Sequence, residues 1–129
     1  MQGMYTQYAS TYLWTLGSVT TLAFAIPLFL TPMFWARMLL WKLPKEKELA
    51  VYFGRCLGAF VLIVEYFIFK AAYTGEGAEF TFEMLTLVFS FMLVVHIYGA
   101  LRRIQPITET LEIGLWLLLL TINYLCYPV

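Results

Sequence analysis

The sequence predicts an all-α integral membrane fold, a four-transmembrane-helix antiparallel bundle with a short interfacial helix between helices one and two. Three observations predict it. Hydrophobic residues make up 62% of the 129 residues and charged residues only 12%, against roughly 25% charged in soluble domains, and the mean hydropathy is +0.79. The apolar residues gather in four segments, 12–30, 50–73, 80–101 and 107–124, each near the roughly 20 residues that cross a hydrocarbon core about 30 Å thick. Polar punctuation bearing Gly or Pro separates them at residues 44–48, 74–77 and 102–106.

A soluble chain of this size would leave much of that apolar surface exposed to water and would aggregate. The bilayer removes the difficulty, and helices satisfy their own backbone amides there. The formal net charge is zero, with eight Lys and Arg against eight Glu and no Asp. That gives no electrostatic basis for binding nucleic acid, which is excluded as a partner. Short connections and the absence of a repeat or linker predict one domain spanning residues 1–129.

Orientation follows from the Lys and Arg positions. Arg37, Lys42, Lys45 and Lys47 lie in the first connection, with Arg55 just beyond, and Arg102 and Arg103 lie in the third; the other side holds only Lys70. Positive loops stay inside, so connections one and three are expected inside and both termini outside. The start, Met1-Gln2-Gly3-Met4, lacks the basic region and cleavage site of a signal peptide, and the first helix is expected to remain as an anchor.

The interfacial helix is read over residues 32–41, with Thr31 as its N-cap and Pro32 as its first residue. Trp35 and Trp41 would sit at headgroup depth while Arg37 and Lys42 reach lipid phosphates; bound lipid is the expected consequence, and a docking face for a soluble partner is the alternative use. Tyr5, Tyr8, Tyr12 and Trp14 would form the matching outer belt.

Function is sought among the polar residues inside the spans, because ionisable groups there are costly and face protein. Gly54 and Gly58 form a small-xxx-small pair, and Glu65 returns to nearly the same helical face. Gly17, Thr21 and Ala25 make a second small-residue stripe that could receive it. Glu109, Glu112, Trp116 and Asn123 share a face of the fourth segment, and Glu83, Thr86 and Ser90 share one of the third. Counted from the inner ends, Arg55, His96 and Glu112 fall in one layer, and Glu65, Asn123, Ser18 and Ser90 in another. The expected contacts are an Arg55–Glu112 ion pair and a Glu65 hydrogen bond to Asn123 or to hydroxyls. The functional counterpart is a polar cavity for a lipid headgroup, a quinone-like molecule or protons.

His96, the only histidine, could ligate the metal of a haem or chlorophyll, a tetrapyrrole cofactor. No complete metal-ligand set is read from the sequence, so no metal site is expected. No phosphate loop, nucleophile elbow or zinc-protease motif occurs, which argues against an enzyme. Cys56 and Cys126 fall near opposite membrane faces, too far apart to pair. Two functional classes remain. One is a non-catalytic accessory or scaffold subunit of a larger membrane complex, whose partners are other integral membrane subunits; the short loops and the 11 Phe, 9 Tyr and 4 Trp favour it. The other is a binder, carrier or enzyme for a lipophilic small molecule, using Arg55, Glu65, His96 or Glu112 in an intramembrane cavity.

Overall fold

The computed structural model describes residues Met1–Val129. It is 80% helical without strands. Five helices follow in order: α1 (Thr6–Leu30), α2 (Pro32–Met38), α3 (Glu48–Thr74), α4 (Ala78–Arg102) and α5 (Ile107–Leu125). By length and composition α1, α3 and α4 can cross a membrane, which supports insertion into a bilayer. The 19-residue α5 falls outside that set; Glu109 and Glu112 in its first two turns and Asn123 near its end lower its hydropathy.

Helix α1 begins six residues before the expected boundary and runs through a π turn at Thr21–Ala25. There the Ile26 amide reaches back five residues to the Thr21 carbonyl, one residue before Pro27, which has no amide hydrogen to offer and crowds the preceding turn. The wider turn keeps the helix continuous up to Leu30. Thr31 stands at the N-cap position of α2 but does not cap it: its hydroxyl donates to the Pro27 carbonyl. Helix α2 ends at Met38, earlier than expected, because Leu40 takes a left-handed conformation with φ 65°. That turn carries Trp41 back toward α5. Between α3 and α4 the chain reverses in three residues, Gly75 and Gly77 both having φ above 70°, the region that glycine enters without a Cβ clash.

The helices pack as two close pairs, α1 with α3 and α4 with α5. In the first pair the glycines set the approach. A Cβ at Gly58 would lie 2.6 Å from the backbone of Phe29, and one at Gly54 would lie 2.5 Å from Pro32. Gly17 packs beneath Ile68 and Phe69, and Ala25 is buried. The pairs join through Leu13, Leu16, Ile68, Phe82, Leu85, Phe89 and Trp116. Large apolar side chains such as Leu22, Phe60, Leu87, Phe91 and Leu118 point outward, the expected arrangement where the surroundings are lipid rather than water.

Both chain ends lie together, since the Gly3 and Tyr5 amides donate to the carbonyls of Tyr124 and Leu125. The Ser10 hydroxyl, donating to the Ala72 carbonyl, places the α3–α4 turn at that same end. Thr108 donates to the Leu39 carbonyl, so the first and third connections meet at the other. Every Lys and Arg except Lys70 therefore belongs to the end opposite the termini.

Candidate functional site

Three polar clusters lie within the helices. The first is on α4 and α5. Along α4 the buried positions Phe82, Leu85, Phe89, His96 and Gly99 recur at helical spacing, so His96 faces α5. Glu109 and Glu112, three residues apart at the start of α5, project from one face toward it. His96 Nε2 lies 2.8 Å from Glu109 Oε2 and 2.9 Å from Glu112 Oε2. The other ring nitrogen, Nδ1, lies 2.6 Å from the Met92 carbonyl oxygen and can only donate to it. His96 is 5% and Glu109 6% exposed, and Glu112 is half-buried.

Neighbouring groups hold this triad in place. The Trp41 indole N–H donates to Glu109 Oε1 at 2.8 Å; the turn at Leu40 brings it there. The Gln105 amide donates to the His96 carbonyl at 2.9 Å and to the Thr110 hydroxyl at 3.1 Å, in the space that a side chain at Gly99 would occupy. Trp116 packs against His96 with the rings tilted by 54° and their centroids 5.7 Å apart.

A cavity of about 460 Å³ borders the triad. Leu28, Pro32, Trp35, Trp41, Phe53 and Leu57 line one side, and Val95, His96, Gly99, Gln105 and Glu109 the other. It separates the α1–α3 pair from the α4–α5 pair. A larger groove of about 770 Å³, open to a similar degree, runs along α4 and α5 near the chain termini, but no buried ionisable group lines it.

The second cluster holds α1 to α3. Glu65, 4% exposed, accepts a 2.5 Å hydrogen bond from Thr20. Its second oxygen and the Thr21 hydroxyl are buried near each other and make no other hydrogen bond. An amide at position 65 keeps the Thr20 contact and a hydrogen-bonding group beside the Thr21 hydroxyl, which a leucine does not. Glu65→Gln is therefore expected to melt in detergent close to the wild type, and Glu65→Leu to be destabilised by about 1 kcal/mol. Equal stability of the two variants would contradict this account of the cluster.

The third cluster centres on Asn123, which has no exposed surface. Its amide nitrogen donates to the Phe82 carbonyl at 3.0 Å and to the Thr86 hydroxyl at 2.9 Å. Its oxygen accepts from the Tyr12 hydroxyl at 3.0 Å. Tyr12 is thus an internal residue and not part of an outer belt.

Several expected contacts are replaced. Arg55 is exposed and no ion pair joins it to Glu112, whose partner is His96. It follows Gly54 by one residue, so it points about 100° away from the face that packs on α1 and α2. Of the two kinds of partner expected for Glu65 the structure has a hydroxyl, that of Thr20, and not Asn123, because α3 is paired with α1. Ser18 is exposed, and Ser90 donates to its own helix at Thr86. Trp35 packs edge-on against Phe24, and Arg37 and Lys42 are exposed. His96 Nε2 faces the two carboxylates and Trp116 packs against the ring, so a tetrapyrrole would have to displace these neighbours to reach it. The structure brings Glu109 and Glu112 together with His96 in a three-residue group whose ligand atoms lie within 4.8 Å of one another, a grouping not read from the sequence. Glu109 was legible only as one member of a polar stripe. The signal that could have singled it out is its three-residue spacing from Glu112, on a helix joined by a short turn to the one bearing His96.

No protein-family model, curated protein or solved structure matches the chain. Fold and site together define an all-helical protein with long apolar helices and a buried histidine–carboxylate triad beside a cavity.

Proposed function

We propose that the chain is a four-span membrane protein that binds a lipophilic small molecule in the cavity beside His96 and Glu109. The cavity carries this reading: its volume and mostly apolar, aromatic walls with a few buried polar groups suit a small ligand. Glu109 is an acceptor, so the occupant would present a hydroxyl or amine to it and lay an apolar body against Trp35, Phe53 and Leu57. Native mass measurement after mild extraction from the source membrane tests this. A lone chain retaining a small molecule, lost in Leu57→Trp with melting unchanged, is the expected outcome; a wild-type chain that retains nothing would remove the basis for it.

In this reading α5 is the fourth span. Its 19 residues extend about 28 Å, and its two carboxylates are engaged by His96 and Trp41 rather than exposed to lipid. The segregation of Lys and Arg supports termini outside and connections one and three inside. Single-cysteine labels at Lys45 and Arg103 should react from the inner side, and labels at Gly77 and Val129 from the outer side. Lys45 and Gly77 labelled from one side would overturn the topology.

Arg55 favours a second reading, that of an accessory subunit in a larger membrane complex. It is an exposed cation in the first turns of a span, without an intramolecular ion pair, and a carboxylate of a neighbouring subunit would complement it. Stoichiometric co-purifying protein chains in the same measurement, lost in Arg55→Ala, would support this reading.

A further inference from the structure

We propose that His96, Glu109 and Glu112 form a binding site for one divalent first-row transition ion at the wall of the cavity. The donor atoms lie within 4.8 Å of one another, and Nε2 is 2.8 and 2.9 Å from the two carboxylate oxygens. An ion about 2.1 Å from each ligand holds its donors about 3 Å apart in octahedral and about 3.4 Å apart in tetrahedral geometry, so both nitrogen–oxygen edges are near the octahedral length and would open slightly for a tetrahedral ion. The edge between the carboxylates is no longer than 4.8 Å, and Glu112, half-buried at the side of the cluster, has room to turn.

The hydrogen bonding points the same way. Because Nδ1 donates to Met92, a neutral His96 directs the lone pair of Nε2 at two carboxylate oxygens. Three acceptors converging on one point need protons or a metal cation between them. A proton on Nε2 can lie in line with only one oxygen, whereas a metal ion serves all three. Charge balance is compatible with the metal as well. An imidazolium beside two carboxylates leaves a net charge of −1 in a buried place that no Lys or Arg pairs with. The α5 N-terminus contributes only partial positive charge. A divalent ion with neutral His96 brings the total to zero.

The supporting bonds match a metal site. His96 is held through its far nitrogen by a carbonyl, and Glu109 through its second oxygen by the Trp41 indole, the outer contacts that orient ligands and fix the tautomer. One imidazole with two carboxylates suits zinc, iron(II) or manganese(II) better than copper(I), which prefers sulfur, or calcium, which takes more oxygens. Three protein ligands leave a position for an exchangeable one.

This proposal goes beyond the cavity reading, and its test is separable. The full chain, purified in mild detergent, is stripped with a chelator and washed free of retained small molecules. It is then titrated with Co²⁺ as an optical probe, followed by Zn²⁺ in competition. The expected result is one Co²⁺ per chain with visible absorption bands, displaced by Zn²⁺. Trp41→Phe should weaken binding by about 10- to 100-fold, and His96→Gln and Glu112→Gln should abolish the bands. Glu46→Gln and Glu79→Gln, which remove exposed carboxylates, should bind as the wild type does, excluding surface carboxylates as the source. Should His96→Gln fail to fold, Glu112→Gln decides, because its side chain is the least buried of the three. No saturable binding by the folded wild type, or unchanged binding in Glu112→Gln, would overturn the site while leaving the cavity reading in place.

Discussion

Gly58→Leu is expected to destabilise the protein by about 3 kcal/mol, the upper end of what overpacking costs. A Cβ at this position would stand 2.6 Å from both the amide nitrogen and the Cα of Phe29 and 2.8 Å from its Cβ. Side-chain rotation cannot relieve contacts with backbone, so α1 has to retreat from α3. That retreat also strains the Thr20–Glu65 hydrogen bond seven residues further along α3. Gly54→Leu provides a graded comparison: its new Cβ would meet the ring of Pro32 and, at 3.9 Å, the end of Leu28. The short α2 can shift more readily than the middle of a long helix, so the loss should be smaller. Gly114→Ala is the control. Nothing lies within 4 Å of its added methyl, and it should be neutral or stabilising by up to about 1 kcal/mol through helix propensity. Unfolding measured in mixed micelles checks the order. If Gly58→Leu were as stable as Gly114→Ala, the close α1–α3 approach described here would be wrong.

Asn123→Leu should cost about 2 kcal/mol. Asn123 joins three helices through bonds to Tyr12 on α1 and to Phe82 and Thr86 on α4. Hydrogen bonds between membrane helices average about 0.6 kcal/mol and reach about 1.7, and the loss of all three leaves the buried Tyr12 hydroxyl without its acceptor. The Phe82 carbonyl keeps its bond from Thr86, which is why the total stays near 2 and not higher. Tyr12→Phe alone should cost about 1 kcal/mol. In the Asn123→Leu background it should cost almost nothing, because the partner is already gone. Such a cycle isolates the pair, and strictly additive losses would show that Tyr12 and Asn123 do not interact.

Much of the architecture was legible in the sequence. Composition and segment length led to long apolar helices, because a bilayer sets both requirements independently of any particular neighbour. Helical periodicity marked Glu109, Glu112, Trp116 and Asn123 as one face of α5, and the structure turns that face toward protein: Trp116 and Asn123 are buried, as is Glu109. The spacing of Gly54, Gly58 and Glu65 likewise marked one face of α3, and that face meets α1. In each case the reason is local. The angle between side chains on a helix depends only on their separation along the chain.

Which neighbour each face meets was decided by the tertiary structure. Periodicity shows that Glu65 and Asn123 point inward but carries no information on helix pairing. Once α3 pairs with α1, Glu65 reaches Thr20; once α5 pairs with α4, Asn123 reaches Phe82 and Thr86. The same pairing takes Glu112 from Arg55 and gives it to His96. Depth along the axis put Arg55, His96 and Glu112 in one layer, yet a layer ignores rotation about the helix, and a single residue after Gly54 turns Arg55 outward. Trp41 was read as an interfacial anchor from its amphipathic side chain, and only the left-handed turn at Leu40 brings its indole to Glu109. The triad depends on two helix faces, a short hairpin and that turn acting together, and contacts between distant segments of this kind are set by packing across the whole bundle rather than by any local stretch of chain.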